Sequence, residues 1–257
     1  MRVNQGKRSN TTTGNRQIIH CEGGENSLDV IFYKTLLGAN IIHFDLQPLG
    51  SSNTLLCYAE TELIEEGFCL IDRDFRTDAQ VLKLEQKYKI KFLPVHEIEN
   101  LLLNSKYLKK LKYYRSGVDI DSEIDKIVVS KKVRFLADFL LFKINTHLEQ
   151  FPRVSNLENS ELPNESELKS LLLNKLNTNY IEVKKKIDEI KNNYIDEWCN
   201  EFDNLTINKL GGKEIFKELK NKIFNNPPKE SDIVKEMALL MESDGFMPPE
   251  LGNIFNL

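Results

Sequence analysis

Cysteine is scarce in this chain of 257 residues: Cys21, Cys57, Cys69 and Cys199, with no Cys-x-x-Cys pair. That excludes a disulfide framework and a zinc ribbon, and reads as free thiols in a reducing cytoplasm. The four histidines, His20, His43, His96 and His147, show no metal-ligand spacing either. No apolar run reaches the roughly 18 residues of a membrane span, so no membrane association is expected. Met1–Arg16 lacks the apolar stretch of a secretory signal, which points to the cytoplasm. Charge of one sign is not in excess: 35 Lys and Arg against 39 Asp and Glu give a net charge of −4. A strongly basic nucleic-acid coat protein is thereby excluded, and nucleic acid is left only a local patch. There is no Gly-x-x-x-x-Gly-Lys-Ser/Thr phosphate loop and no internal repeat.

What is present is the composition of a globular protein. Hydrophobic residues make up 40% and charged residues 29%, enough to fill a sizeable core. Residues 1–16 are polar and read as a loose tail. Beyond them, short apolar runs at Gln17–Cys21, Asn40–Gln47, Gly67–Asp72 and Ile90–Val95 alternate with helical patterns. Those patterns cover Ser27–Leu37, Asn53–Glu65 and Ala79–Tyr88. Strands separated by helices of this length argue for β-α-β units and a mainly parallel sheet. From about Ile98 the texture is helical only. Asp125–His147, Glu165–Asn174, Tyr180–Asn200, Lys213–Ile223 and Asp232–Met241 carry apolar residues three and four apart. The reading is an α/β fold: a mainly parallel sheet flanked by helices over 17–105, and an appended C-terminal helical subdomain over 106–257.

In an open parallel sheet, ligands sit at the carboxyl ends of the strands. Acids fall at three of the expected strand ends: Glu22 before Gly23-Gly24, Asp72 and Asp74 around Arg73, and Glu97 and Glu99 in His96-Glu97-Ile98-Glu99-Asn100. Residues two apart in an extended segment point the same way, so Asp72 and Asp74 can present two carboxylates to one cation. Hard oxygen donors suit Mg²⁺, with Mn²⁺ the alternative. Asp29 reads as an exposed helix residue, and Arg73 either as a phosphate ligand or as one half of a salt bridge. A basic and aromatic stretch adds Lys106, Lys109, Lys110, Lys112 and Arg115 among Tyr107, Tyr113 and Tyr114. Its cations suit phosphates and its tyrosines suit unpaired bases, while the plainer alternative is a solvated helix face.

Ile18-Ile19-His20-Cys21-Glu22-Gly23, Gln47-Pro48-Leu49-Gly50-Ser51 and Leu70-Ile71-Asp72-Arg73-Asp74 together resemble the Toprim domain of primases, topoisomerases and OLD-family nucleases. His96-Glu97-Ile98-Glu99-Asn100 extends the resemblance to small stand-alone Toprim proteins, among them effectors of the ATPase-paired PARIS anti-phage systems. The match spans roughly 15–105. It implies a Mg²⁺-dependent nuclease in which Glu22, Asp72 and Asp74 are catalytic and Glu22, Asp72, Asp74 and Glu99 are the metal ligands. Gly23, Arg73, Lys109, Lys110, Lys112 and Arg115 are then the nucleic-acid contacts. It further implies an ABC-type ATPase partner, a homodimer when active, and tRNA as the favoured substrate with DNA as the alternative. A catalytically silent interaction module is the third reading.

Overall fold

The computed structural model describes residues 16–61, 64, 66–148, 164–179 and 184–255. The expected tail therefore lies outside the described residues except for Arg16, as does most of the loop read at Asn156–Ser166. Among the described residues four strands, β1 (Gln17–Cys21), β2 (Phe44–Pro48), β3 (Phe68–Ile71) and β4 (Ile90–Phe92), form one sheet in the order β2-β1-β3-β4. Every pairing is parallel.

Three helices make the crossovers: α1 (Leu28–Leu37), α2 (Ser52–Glu60) and α3 (Asp78–Lys87). Each starts on a hydroxyl cap. Ser27, Ser51 and Thr77 accept from the amides of Val30, Thr54 and Gln80. The sheet is covered on both faces, which is why β3 is buried at all four positions. The two-residue period of the strand divides it between two cores. Phe68 and Leu70 join the core that contains α1, and Cys69 and Ile71 join a smaller one with Leu55 and Ala59 of α2.

Among the described residues nine further α-helices follow: α4 (Ser105–Leu108), α5 (Ile120–Ser130), α6 (Lys132–His147), α7 (Glu165–Asn179), α8 (Lys184–Glu189), α9 (Ile195–Asp203), α10 (Gly212–Ile223), α11 (Glu230–Ser243) and α12 (Pro249–Phe255). They fold back onto the sheet. α11 packs along α1, and α10 lies on α5 and on the 3-10 turn Ile98–Leu103. Phe255 of α12 meets Tyr33 and Phe44 edge-on, with ring centroids 5.8 and 5.3 Å apart. Lys91 of β4 donates to the Ile254 carbonyl at 3.0 Å. One continuous core holds Ile19, Phe32, Leu136, Phe139, Trp198 and Met237. Residue 105 thus marks a change of texture, from alternating strands and helices to helices alone. It does not mark a change of core.

Several boundaries differ from the sequence reading, each for a physical reason. Gly38–His43 is a 3-10 helix, and the strand read from Asn40 begins only at Phe44. Phe44 is the register partner of Gln17, where β1 begins, so the residues before it face no strand of the sheet. β4 stops at Phe92, whose partner Ile71 is the last residue of β3. α2 ends at Glu60, capped by Thr61. The helix read over Asp125–His147 is broken at Lys131, and α5 starts earlier, on the Asp119 cap. Between α8 and α9 the backbone takes a π-helical turn at Ile190–Tyr194. All four cysteines are free. Among the described residues no helix is long and apolar enough to cross a membrane.

Gly67 controls the approach of β1 to β3. Its φ is +84°, and a Cβ there would lie 1.8 Å from the Ile18 carbonyl oxygen. Gly67→Ala should therefore lower stability by about 2 kcal/mol or more, from overpacking and a left-handed backbone together. Urea denaturation measures this, and an unchanged midpoint would mean that the two strands are free to separate here.

Candidate active site at the carboxyl edge of the sheet

Because all four strands run the same way, the residues that follow them emerge on one edge. Glu22 directly follows β1 and Asp72 directly follows β3, its neighbour in the sheet. Glu22 Oε1 accepts from the Asp72 backbone N–H at 3.1 Å and from Ser52 Oγ at 2.6 Å. Two acids 50 positions apart in sequence are thus brought side by side. The glycines nearby build the edge. Gly23 N–H donates to Gly50 O at 2.6 Å, and Gly50 N–H donates back to Gly23 O at 3.0 Å. Gly23 has φ +84°, and a Cβ on it would meet Ser27 Cβ at 2.3 Å. The backbone N–H of Gly23, a residue the resemblance implies as a nucleic-acid contact, is taken by Gly50.

Asp72 and Asp74 do not sit as the extended-strand argument expects. Asp74 has φ +50°, so the chain turns between them. Asp74 N–H donates to His96 O at 2.9 Å, and its Oδ2 accepts from Arg76 Nη1 at 2.7 Å. The same Nη1 reaches the Arg73 carbonyl at 3.2 Å and the Asp72 carbonyl at 3.4 Å. The guanidinium of Arg76 is packed between Phe92 and Phe142, 5.2 and 5.6 Å from the ring centroids. Arg76 therefore staples the turn that carries both aspartates. Arg73, buried at the same turn, pairs with Asp78 and donates from Nε to the Arg76 carbonyl at 3.0 Å. Of its two readings, the structure has the salt bridge.

The Glu-x-Glu-Asn segment is tied to α10 chiefly through Glu97 and Asn100. Glu97 accepts from the Lys213 backbone N–H in the first turn of α10, and its side chain also caps the 3-10 turn Ile98–Leu103. Asn100 Oδ1 accepts from Glu97 N–H at 3.0 Å, while its Nδ2 donates to the carbonyls of Ile207 and Leu210 at 3.1 and 3.0 Å. Gly212 leaves room for this, since a Cβ there would stand 2.6 Å from Asn100 N. Glu99 is buried, bonds its own backbone amide, and lies within electrostatic reach of Lys213 and Glu22.

Electrostatics joins these groups into one set. Burial first, and then Glu22, Asp29, Glu97 and Asp74, hold the Asp72 carboxyl well above the ordinary carboxylate range. Burial and the Glu99 charge push Glu97 up to about 8, and burial and Glu99 push Asp29 up to about 7. Glu99 is also raised, chiefly by burial. Lys213 opposes the shift in Asp29, Glu97 and Glu99. Asp29 is thus part of the site, and not the exposed helix residue expected. It lies two residues after the Ser27 cap, in the first turn of α1. A helix that starts beyond a parallel strand aims its first turn at the carboxyl edge, and that is the signal by which Asp29 was findable. Ser52 of α2 is legible in the same way. Lys213 and Arg76 follow only from long-range packing.

The basic stretch is placed otherwise. Lys109, Lys110, Lys112 and Arg115 are exposed. Lys110 pairs with Asp244 at 2.5 Å and Arg115 Nε donates to Asn225 Oδ1 at 3.2 Å. Lys112 lies over the Tyr113 ring. Tyr107 is fully buried against Phe246, and Tyr114 OH donates to the Val118 carbonyl at 2.6 Å. Tyr107 and Tyr114 are therefore packing residues, and the base-stacking role expected of them is not open to them. The cations of Lys131, Lys132, Arg134 and Lys143 are paired in turn: Lys131 with Glu214 and Glu218, Lys132 with Asp203, Arg134 with Asp138 and Lys143 with Glu201.

The donor set is all oxygen, its carboxyls raise one another, and a hard divalent cation is the group whose chemistry fits it. The geometry is open, however: among the described residues no three His, Cys, Asp or Glu side chains are grouped so as to hold a metal ion. Comparison of the chain with family models, with curated proteins and with solved structures finds no match.

The raised acids set a pH dependence. Unfolded carboxyls titrate near about 4, so Asp29, Asp72 and Glu97 keep protons in the folded chain that the unfolded chain has released. Their contribution to stability is complete below that value and falls as pH rises towards about 8. The thermal midpoint should be lower at pH 8 than at pH 5.5, and Mg²⁺ should raise it more at pH 8, where a larger share of Asp29 and Glu97 is ionised. A midpoint that Mg²⁺ leaves unmoved at both pH values would count against a cation at this edge.

Proposed function

We propose that the chain is a Mg²⁺-dependent phosphodiester-cleaving nuclease of Toprim type. Its role is that of an anti-phage effector that cleaves tRNA after release from a partner ABC-type ATPase. The observation that carries the chemistry is the Glu22 carboxylate lying against the Asp72 amide at adjacent strand ends, with Asp74 and Glu99 on the same edge. The defence role, the tRNA target, the ATPase partner and the active homodimer rest on the sequence resemblance.

Glu22, Asp72, Asp74 and Glu99 would hold Mg²⁺ or Mn²⁺. The bound ion supplies charge stabilisation at the phosphate and a more acidic water. The chain's own part is orientation and proton movement. Ser52 and the Asp72 amide both bond Glu22 Oε1, which fixes the carboxylate; Oε2 would then be the oxygen that takes or returns a proton. Arg76 holds Asp74 at the turn, and Asn100 and Glu97 lock the last acidic segment to α10. A second reading, a silent binding module, draws on the same edge: no ready three-residue ligand group stands there among the described residues.

Induced expression of the wild type and of Glu22→Ala or Asp72→Ala in bacteria tests the proposal, with total RNA and plasmid DNA sized afterwards. New tRNA fragments with the wild type alone are expected, from variants that keep the native thermal midpoint. Nicked or degraded plasmid would replace tRNA by DNA, as in OLD-type enzymes. Cleavage that survives both substitutions would sink the assignment. If neither nucleic acid changes, whether or not the ATPase is co-expressed, the binding-module reading holds.

A further inference from the structure

A cleft of about 460 Å³ opens beside the acidic edge, walled by α2, α3 and α6. Asp74, Arg76 and Ser52 all line it, and Ser52 is the residue bonded to Glu22. Whatever enters it lies against the candidate active site. We propose that this cleft takes a single unpaired nucleotide, with the base on Phe142 and the phosphate toward Lys83. The inference rests on the nuclease reading for its biological meaning, and on the cleft alone for its binding.

Three features carry it. The first is size: the volume lies in the range of roughly 300–1,000 Å³ typical of small-ligand sites. That suits one nucleotide, and a duplex, with two backbones and paired bases, is too wide for it.

The second is surface. Leu56, Leu84 and Phe142 give an apolar platform, while Asn53, Gln80 and Thr146 bring amides and a hydroxyl to it. An aromatic face with adaptable polar groups around it accepts any base whose own face is uncovered. In a duplex those faces are covered by the neighbouring pairs. Phe142 is already held from one side by the Arg76 guanidinium, 5.6 Å from its centroid, and from another by Phe75, at 5.9 Å.

The third is charge. Arg76 and Lys83 are matched by Asp74 and Glu60 in the same cleft. With no cationic excess, the backbone charge of a polyanion is not the main attraction, and discrimination falls to the base. The salt dependence of binding should accordingly be shallow, unlike that of a protein gripping many phosphates.

The test is equilibrium binding of the full chain to a fluorescein-labelled eight-nucleotide single-stranded RNA and to the blunt duplex of the same sequence. It is run in EDTA so that nothing is cut. Single-strand binding at least tenfold tighter than duplex binding is expected. Phe142→Ala should weaken it by about tenfold, and Phe142→Tyr should restore it. Lys83→Glu, at an exposed site on α3, should weaken it severalfold without moving the thermal midpoint. That variant decides the matter if Phe142→Ala fails to fold. Equal or tighter duplex binding, no binding of either probe, or single-strand binding indifferent to the substitutions would overturn the proposal. Single-strand binding without cleavage in Mg²⁺ would discard the nuclease reading and leave the cleft. Cleavage without strand preference would do the reverse.

Discussion

The hydrogen bond from the Asp72 amide to the Glu22 carboxylate is the contact around which the rest of the edge is arranged. It exists because β1 and β3 are adjacent and parallel, with Ile19 opposite Phe68 and His20 opposite Cys69. Adjacency in turn depends on Gly67, where a side chain would collide with the Ile18 carbonyl. A backbone amide aimed at a carboxylate is a strong, oriented donor. It fixes Glu22 in place beside Asp72, whose affinity for protons is raised first by burial and then by its acidic neighbours.

Holding Asp29, Asp72, Glu97 and Glu99 at one partly buried edge is unfavourable in isolation, since burial and mutual repulsion both oppose ionisation. The molecule offsets this with rigid packing around the edge. Both faces of the sheet are covered, and helices from the far end of the chain close over it, with α11 along α1 and Phe255 on Phe44. Asn100 ties the strand-end segment to the residues before α10 through two carbonyls. Such strain at an edge, held by a well-packed scaffold, is the usual physical state of a site that acts on charged ligands. The helical second half of the chain is therefore a structural part of that edge.

Much of this is legible in residue order. Continuous apolar runs such as Phe68-Cys69-Leu70-Ile71 mark a strand buried on both faces. Glu22, Asp72 and Glu99 are conspicuous because each follows such a run. Other features have no local signature. Asp29 looks like any helix acid until α1 is seen to start at the carboxyl edge. Glu97 and Glu99 are alike in sequence, and only the position of α10 gives Glu97 the backbone N–H of Lys213 while Glu99 bonds its own amide. The lysines and tyrosines of 106–115 read as a nucleic-acid surface by composition, yet Tyr107 is drawn inward by Phe246, 139 positions later.

The sequence by itself determined the strands and crossover helices, the parallel sheet they imply, and the acids Glu22 and Asp72 that directly follow two of the strands. Those follow from short-range periodicity, which local sterics and burial impose on every chain. The tertiary structure alone decided which charges remain free. Arg73 closes on Asp78, Arg76 on Asp74 and Lys110 on Asp244. It also decided that Phe142 of α6 faces the cleft next to Ser52 and Asp74. Ion pairing and cleft formation depend on distances between segments far apart in the chain, and no local pattern encodes those distances.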